Sequence, residues 1–352
     1  MDFSEISQVE RSLLFVALLF IVLIAVKMTS YIVSLFLMSL VITMLVVPAQ
    51  VWLRSKGLST LMSVIAITIA ACIIIVGAIG LTALSLNSVM VDLPQYQQEL
   101  NVRLADVSAM LAPLGLSDIV NEPPSIDLGD VMSFGVSGAT MLADALMFLF
   151  FVAVLSFFSL LEVPAITERL EQRFGKRSST MQSLSRMTGY VIDFIVVRTE
   201  TNFVHGLLFG GFLGLIGVHG AILWGVLTFV LGYIPFFGLI IAAIPAIFLA
   251  WLQYGVPGAV AVIAVVCILN LVVENPVYSW LAAKKFEMPA LIVIISVIFW
   301  GWLLGLVGML FSVPFTLILL LIFQLSDELR WINVTLGVSH LFEEATGEQD
   351  SP

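Results

Sequence analysis

The sequence predicts an all-α polytopic membrane protein with about six full transmembrane helices and two hairpin segments that Gly and Pro interrupt. Hydrophobic residues make up 61% of the 352 residues and charged residues 11%, whereas soluble domains are about 45–50% apolar and 25% charged. Several uncharged runs exceed the roughly 20 residues that a helix needs to cross the hydrocarbon core. These runs are continuously apolar and lack the alternation of membrane β-strands.

The N-terminal part predicts three transmembrane helices followed by an acidic region. Residues 1–86 contain three apolar runs, which end near residues 26, 53 and 86. Residues 87–140 carry seven acids and a single base, Arg103. Apolar residues recur there every three or four positions between 93 and 114, which predicts an amphipathic helix at the membrane surface.

A fourth transmembrane helix is predicted at residues 141–162, followed by a basic region at residues 163–200. Six bases and three acids lie between residues 163 and 198, and amphipathic helices broken at Gly175 are expected there. Cytoplasmic loops carry an excess of Lys and Arg. We therefore expect an integral protein of the plasma membrane, with this basic region and both termini in the cytoplasm and the acidic region on the extracytoplasmic side.

Residues 201–325 form the predicted C-terminal transport region. A fifth helix is expected at residues 201–218 and a sixth at residues 258–280. Residues 326–352 form an acidic cytoplasmic tail, which is expected to be frayed because chain ends are ordered only where they dock.

Two segments of the transport region, residues 222–252 and 288–324, are uncharged but interrupted by Gly and Pro. Gly weakens a helix and Pro cannot donate its backbone bond, so each segment is expected to turn inside the membrane. Irregular backbone is tolerated there only where protein buries it or it lines a cavity, and two such segments in corresponding positions indicate a transport site. Two kinked helices that merely pack closely are the alternative. The matching positions are Gly232 and Pro245 in the first segment and Gly301 and Pro314 in the second, 13 residues apart in each.

Charged and strongly polar residues within the apolar parts are functional candidates, because a charge at the bilayer centre costs about 2.5–3.5 kcal/mol. One group at the start of the fifth helix could bind a polar solute or relay a proton. It comprises Arg198, Glu200, Asn202 and His205. The alternative places Arg198 among the lipid headgroups, pairs Glu200 locally and leaves His205 as a neutral core imidazole.

A second group lies late in the sixth helix, where Asn270 and Glu274 are four residues apart and share a helix face. With Asn275 they could ligate a sodium ion, hold a proton or bind hydroxyl groups; alternatively, Glu274 is solvated at the helix end. A third group frames the predicted hairpin tips and could present freed backbone groups to a substrate. It comprises Tyr233, Pro235, Gly238, Gly301, Trp302 and Gly305.

The sequence also argues against several classes of function. A formal charge of −10 disfavours nucleic-acid binding. The sequence shows no nucleophile–base pair, phosphate-binding loop or ATP motif, so neither an enzyme nor transport driven by hydrolysis is expected. Cys72 and Cys267 both lie in apolar runs and form no metal motif. No cofactor is therefore expected, apart from coupling to a sodium ion or a proton.

Six short motifs lie in order along nearly the whole chain. The most specific is FWGWLLG-x-VGML-x-SVP at Phe299–Pro314, and the weaker ones are LPQY at Leu93–Tyr96, LEVP at Leu161–Pro164, YIP-x-x-G at Tyr233–Gly238, AAIP at Ala242–Pro245 and NLV at Asn270–Val272. Together they resemble the autoinducer-2 exporter family of membrane transporters, and its quorum-signal exporter branch most of all. Gly232 and Phe236–Phe237 depart from the family pattern, as does the segment after Glu274, which lacks its Glu-Pro-Arg pattern.

The resemblance implies a multi-span secondary transporter that assembles as a homo-oligomer and points to a pentamer. We expect a permease for a small polar solute, and the resemblance implies autoinducer-2 export by alternating access. Sodium (or lithium)/proton antiport, with Glu274 and Glu200 as carriers, is the first alternative. A membrane interaction or scaffold protein is the second. The expected partners are a small-molecule or ion substrate, the lipid bilayer and further copies of the chain.

Overall fold

A computed structural model describes residues 8–111, 113, 128–175, 178–274, 276, 288–326, 328–338 and 341. Every regular element in these ranges is helical, and four helices are long and apolar enough to cross a membrane, with shorter apolar helices beside them. The predicted all-α polytopic fold is therefore confirmed. The helices are α1 Gln8–Met28, α2 Ser30–Ser55, α3 Thr60–Val91, α4 Leu93–Leu111, α5 Leu128–Phe174, α6 Ser179–Leu215, α7 Ala221–Leu231, α8 Gly238–Leu269 with a π-helical turn at Asn270–Glu274, α9 Ala290–Leu304, α10 Leu306–Leu310, α11 Ser312–Leu325 and α12 Arg330–Thr335.

The early helices lie close to their predicted positions, and buried polar contacts join α2 to α5. The Gln50 amide donates to the Leu160 carbonyl oxygen at 3.1 Å, and the Ser156 hydroxyl donates to the Ser39 carbonyl oxygen at 3.3 Å. Side-chain hydrogen bonds of this kind hold neighbouring membrane helices together.

α5 and α6 extend well beyond the predicted spans. α5 continues past its predicted end through Pro164, and α6 runs unbroken where the sequence predicts an amphipathic helix and a separate transmembrane helix. The expected break at Gly175 is present: this residue has a φ of +85°, and the Ser178 hydroxyl then accepts a bond from the Met181 amide to start α6. α6 is thus a single rod of 37 residues, about 55 Å long at 1.5 Å per residue.

α8 folds back on itself at Gly255. This residue has a φ of +68°, which L side chains rarely adopt. Beyond it Gly258 packs so closely that its Cβ would lie 2.5 Å from the Ala250 carbonyl oxygen. In a straight helix, residues eight apart are separated by about 12 Å along the axis. α8 therefore consists of two antiparallel arms, the first arm at residues 238–254 and the second arm at residues 256–274.

The chain reverses in the same way between α9 and α11. Gly305 has a φ of +68°, and Gly308 packs against the Trp300 carbonyl oxygen with no room for a Cβ. The spacing equals that in α8. In both reversals, a second Gly lies three residues after the Gly with positive φ and packs against the carbonyl oxygen of the residue five positions before that Gly. The 13-residue spacing in the sequence pairs Gly232 with Gly301. The backbone conformation instead pairs Gly255 with Gly305, because a positive φ determines where the chain turns.

Two helical hairpins approach each other from opposite ends of α6. The first hairpin consists of α7, a tip at residues 232–237 and the first arm of α8, and it shares a core with Phe209 and Leu213 near the end of α6. The second hairpin consists of α9, a tip at residues 305–311 and α11, and it shares a core with Met187 and Val191 near the start of α6. Many secondary transporters are built from discontinuous helices that meet in this manner.

The tips of the two hairpins touch through aromatic rings. Tyr233 stacks on Phe311 with ring centroids 5.8 Å apart, and Phe229 meets the Tyr233 ring edge-on at 6.0 Å. The hydroxyl groups of Tyr233 and of Thr199 on α6 are 2.6 Å apart and share a hydrogen bond. Tyr233 therefore ties both tips to the middle of α6.

The C-terminal tail is docked in the part that the structure describes. The Asn333 amide of α12 donates to the Leu320 carbonyl oxygen and to the Gln324 side-chain oxygen, each at 3.1 Å. Val338 and Leu341 are fully buried in the core that contains α6 and α11. The expectation of a frayed tail is wrong for these residues, because apolar side chains between the acids reach the core.

Candidate functional site

A buried ion pair joins two polar groups that the sequence predicts as separate clusters. Arg198 Nη1 on α6 donates to both carboxylate oxygens of Glu274 on the second arm of α8, at 2.9 and 3.0 Å. The Arg198 side chain is 3% exposed and the Glu274 side chain 17%. Arg198 therefore does not extend to lipid headgroups, and Glu274 is not simply solvated at a helix end. Each charge lowers the cost of burying the other.

A cavity lies beside this ion pair, between α6, the first hairpin and the second arm of α8. The cavity volume is about 100 Å³, well above the roughly 10–15 Å³ that one water needs. One part of its lining is polar and the other is apolar. The polar residues are His205, Thr228, Asn270 and Glu274, and the rest are Gly232, Ile234, Phe236, Gly238, Leu239 and Ile240.

His205 and the π-helical turn shape the polar part of the cavity. His205 Nε2 lies 3.1 Å from the Leu269 carbonyl oxygen and donates to it, since a carbonyl only accepts. The second arm of α8 then widens into the π-helical turn Asn270–Glu274. Such turns are rare and occur frequently at functional sites. Asn270 and Glu274, the first and last residues of this turn, both line the cavity.

Two buried polar side chains, Thr228 in the cavity lining and Asn202 beside the lining residue Gly232, have atoms without a hydrogen-bond partner in the described part of the chain. Asn202 is 1% exposed, and neither Oδ1 nor Nδ2 has a partner among the described residues. Thr228 is also 1% exposed, and its Oγ1 makes no bond to that part of the chain. Asn202 lies directly against Gly232, whose Cβ position is 2.5 Å from Asn202 Oδ1. Buried polar atoms without partners are costly, so these atoms are candidates to bind water or a polar ligand.

Other predicted residues of the first hairpin support the tip or lie elsewhere. Tyr233 holds the tip through its hydroxyl and its ring, and Pro235 is buried in the tip. Gly238 lines the cavity and also packs against the Leu231 carbonyl oxygen, where a Cβ has no space. Glu200 is exposed and does not line the cavity. Asn275 lies outside the described residues.

Three predicted residues belong to the second hairpin and are separate from this cavity. Gly301 packs against the Met309 side chain. Trp302 is 45% exposed, and the Lys27 ammonium group lies 4.4 Å from the centroid of its ring. Gly305 forms the reversal. The cavity thus involves only the first of the two predicted tips.

Sequence reasoning missed Thr228 and the apolar residues of the first tip. Thr228 is the only hydroxyl-bearing residue in α7, and this isolation was an available signal. Phe236 lines the cavity with a φ of +67°, a conformation that costs a residue with a Cβ about 1–2 kcal/mol. No local pattern predicts it, because the usual signal for positive φ is Gly.

Known proteins similar to this chain are transport proteins. The family model described as AI-2E family transporter matches residues 13–326. The chain is 32% identical to the AI-2 transport protein TqsA of Escherichia coli K12 over 259 residues, 72% of this chain and 75% of that protein. It is 26% identical to the putative transport protein YhhT of the same strain over 295 residues, 84% and 82% of the two chains. A putative transport protein of Haemophilus influenzae is 29% identical over 252 residues, 70% and 72% of the two chains. These matches confirm the resemblance, and the chain belongs to the AI-2E family of transporters.

Proposed function

We propose that this protein is a secondary transporter that binds a small polar solute in the cavity and moves it by alternating access. The family supports a permease. The observation that carries the proposal is the Arg198–Glu274 pair, buried beside a polar cavity where the first tip meets α6. Ionisable residues inside membrane proteins mark solute and ion pathways by default.

The lining of the cavity favours a solute that both donates and accepts hydrogen bonds. Asn270 offers an amide, Thr228 a hydroxyl and Glu274 a carboxylate, all within one small space. Apolar residues, among them Ile234 and Leu239, complete the lining and suit a compact carbon skeleton. Pockets for small molecules combine few polar groups with apolar walls in this way.

The opposed hairpins supply the moving parts in this proposal. Each hairpin enters from a different end of α6, and their tips meet at the Tyr233–Phe311 stack. Separation of the tips on one side while the other side stays closed would expose the cavity to one compartment at a time.

Autoinducer-2 is the first solute to test, because the relative TqsA is described as an AI-2 transport protein. Purified protein in sealed liposomes is expected to move labelled autoinducer-2 in response to an imposed proton or sodium gradient. Protein-free liposomes are the control. Equal movement in both preparations, at every gradient tested, would contradict transport of this solute.

Sodium (or lithium)/proton antiport is the second candidate, and the buried Glu274 carboxylate beside the cavity favours it. In the same liposomes, a pH-sensitive dye inside is expected to report proton movement when sodium is added. Proton movement without autoinducer-2 movement would select antiport, and the reverse result would select export.

Thr228→Val is expected to weaken solute binding about 5- to 30-fold, since an unpaired hydroxyl that bonds the solute contributes roughly 1–2 kcal/mol. Val has nearly the same shape, so the fold is expected to be unchanged. Thr82→Val is the matched control, because Thr82 Oγ1 bonds Ala78 at 2.8 Å on an exposed helix face. The apparent KM for transport measures the effect, and equal KM values for both variants would remove Thr228 from the binding site.

The assembly and orientation of the chain belong to the same proposal. The mass of the purified protein in detergent tests the homo-oligomer that the family resemblance implies. Labelling of cysteines introduced at each terminus, in intact and opened cells, tests the cytoplasmic placement that the Lys and Arg excess favours.

A further inference from the structure

Arg103 of α4 binds the reversal of α8. Its Nε donates to the Leu252 carbonyl oxygen at 2.9 Å and its Nη2 to the Gln253 carbonyl oxygen at 3.2 Å. Nη1 lies 3.3 Å from the Cβ position of Gly255. The last carbonyls of a helix have no partner within it and form the negative end of its dipole. The single base of the acidic region therefore caps the first arm of α8 from another helix.

The opposite end of the same two arms carries the cavity. Gly238 and Leu239 begin the first arm and line the cavity, and Glu274 ends the second arm there. The first arm is about 25 Å long at 1.5 Å per residue. Any change in how the arms meet at Gly255 is transmitted along two packed helices to the residues that would hold the solute.

The interface between α4 and the rest of the protein combines close packing with buried polar atoms that lack hydrogen bonds to the described residues. Tyr96 is 3% exposed, and its ring centroid lies 5.6 Å from that of His219. Within the described part of the chain, Tyr96 Oη, Glu99 Oε2 and both amide atoms of Gln253 make no hydrogen bond. Burial, with the charges of Asp92 and Glu99, raises the pKa of Tyr96, so its hydroxyl stays neutral. Hydration of these atoms favours undocking, whereas the Arg103 bonds oppose it.

We propose that Arg103 is a positioning residue for the transport cavity, and that α4 is a reversible latch on the far end of the α8 arms. When α4 is docked, the two arms are held in register and the cavity at their other end stays closed. When α4 lifts, the arms separate and the cavity opens. This inference rests on the proposed function of the cavity.

The test measures cavity opening by thiol labelling, which needs no solute. Cys72 and Cys267 are the only two cysteines and are replaced by Ser. Leu239→Cys then reports on the cavity, because Leu239 lines it and is buried in the docked structure, and the exposed position Trp331→Cys on α12 is the control reporter. A membrane-impermeant methanethiosulfonate reagent is applied to each protein in liposomes.

In the Arg103→Gln variant, the reagent is expected to label Leu239→Cys at least 5-fold faster, and Arg103→Lys is expected to give an intermediate rate because Lys lacks the planar fork. Tyr96→Phe removes one unpaired hydroxyl, stabilises the docked state and is expected to slow labelling at least 2-fold. The opposite signs separate a latch from general damage to the fold. Arg169→Gln is the matched control, since Arg169 pairs with Glu162 on the surface at 3.4 Å.

Unchanged labelling in both Arg103→Gln and Tyr96→Phe would overturn the latch, as would equal changes at the Trp331→Cys reporter. If the labelling follows the expected signs while no tested solute moves in the parent protein, the latch stands and the proposed transport of those solutes fails. Where transport is measurable, Arg103→Gln is expected to change its maximal rate more than its KM.

Discussion

Glu274→Gln is expected to abolish solute transport while the protein still inserts into the membrane. The substitution leaves the Arg198 guanidinium, 3% exposed, beside a neutral amide. Breaking a buried pair in this way destabilises a protein by about 3–5 kcal/mol. The carboxylate also lies in the cavity wall, so both the charge balance and the binding surface change. Transport in liposomes and the unfolding temperature in detergent measure the two effects.

Two double variants distinguish a transport role of the pair from a structural role. Arg198→Gln with Glu274→Gln removes both charges and is expected to recover most of the lost stability without transport. Arg198→Glu with Glu274→Arg restores an ion pair in reverse and tests whether the position of the carboxylate matters. Full transport in the neutral double variant would show that the pair only supports the fold. Glu162→Gln is the matched control, since exposed pairs contribute about 0–1 kcal/mol.

Gly308→Ala is expected to prevent the second hairpin from closing. The Cβ would collide with the Trp300 carbonyl oxygen, which is backbone and cannot rotate away. Separation of α9 from α11 would break the buried chain in which Trp300 Nε1 donates to Thr316 Oγ1 at 2.9 Å and Thr316 donates to Ser296 Oγ at 2.8 Å. Overpacking alone costs about 1–3 kcal/mol, and the lost bonds add to it. We expect little or no monodisperse protein after purification in detergent.

Gly211→Ala is the matched control for this prediction, with an effect of opposite sign. Among the described residues, no atom outside the adjoining backbone of α6 lies within 4 Å of the Cβ position of Gly211, and Ala in a helix is more stable than Gly by about 0.5–1 kcal/mol. Gly301→Ala is expected to have a stability between those of Gly308→Ala and Gly211→Ala, because the Met309 side chain that the new Cβ meets is flexible. Normal yield and unfolding temperature for Gly308→Ala would show that the two helices do not pack as closely as described.

Positions of helices and breaks were largely predictable, because they depend on local properties. Long uncharged runs identify α2 and α3 regardless of what they contact, since the transfer of apolar residues into lipid is additive along the chain. Gly175 marks the break before α6 because of its backbone freedom. The predicted end of the fourth helix at residue 162 was too early, since α5 continues through Pro164 to Phe174. Sequence reasoning also predicted two separate helices where α6 is continuous, because polar residues at the centre of α6 resemble a helix end when their partners are unknown.

What composition and local pattern determine about this protein is its class: a helical membrane protein with two interrupted segments and a few buried ionisable candidates. Only the tertiary structure brings Arg198 to Glu274 across 76 residues of sequence, and only it shows that Glu200, two residues away, faces outward. It also places the α8 reversal at Gly255 under Arg103. The physical reason is that burial and partner choice depend on how distant helices pack, whereas hydrophobicity and backbone freedom belong to each residue by itself.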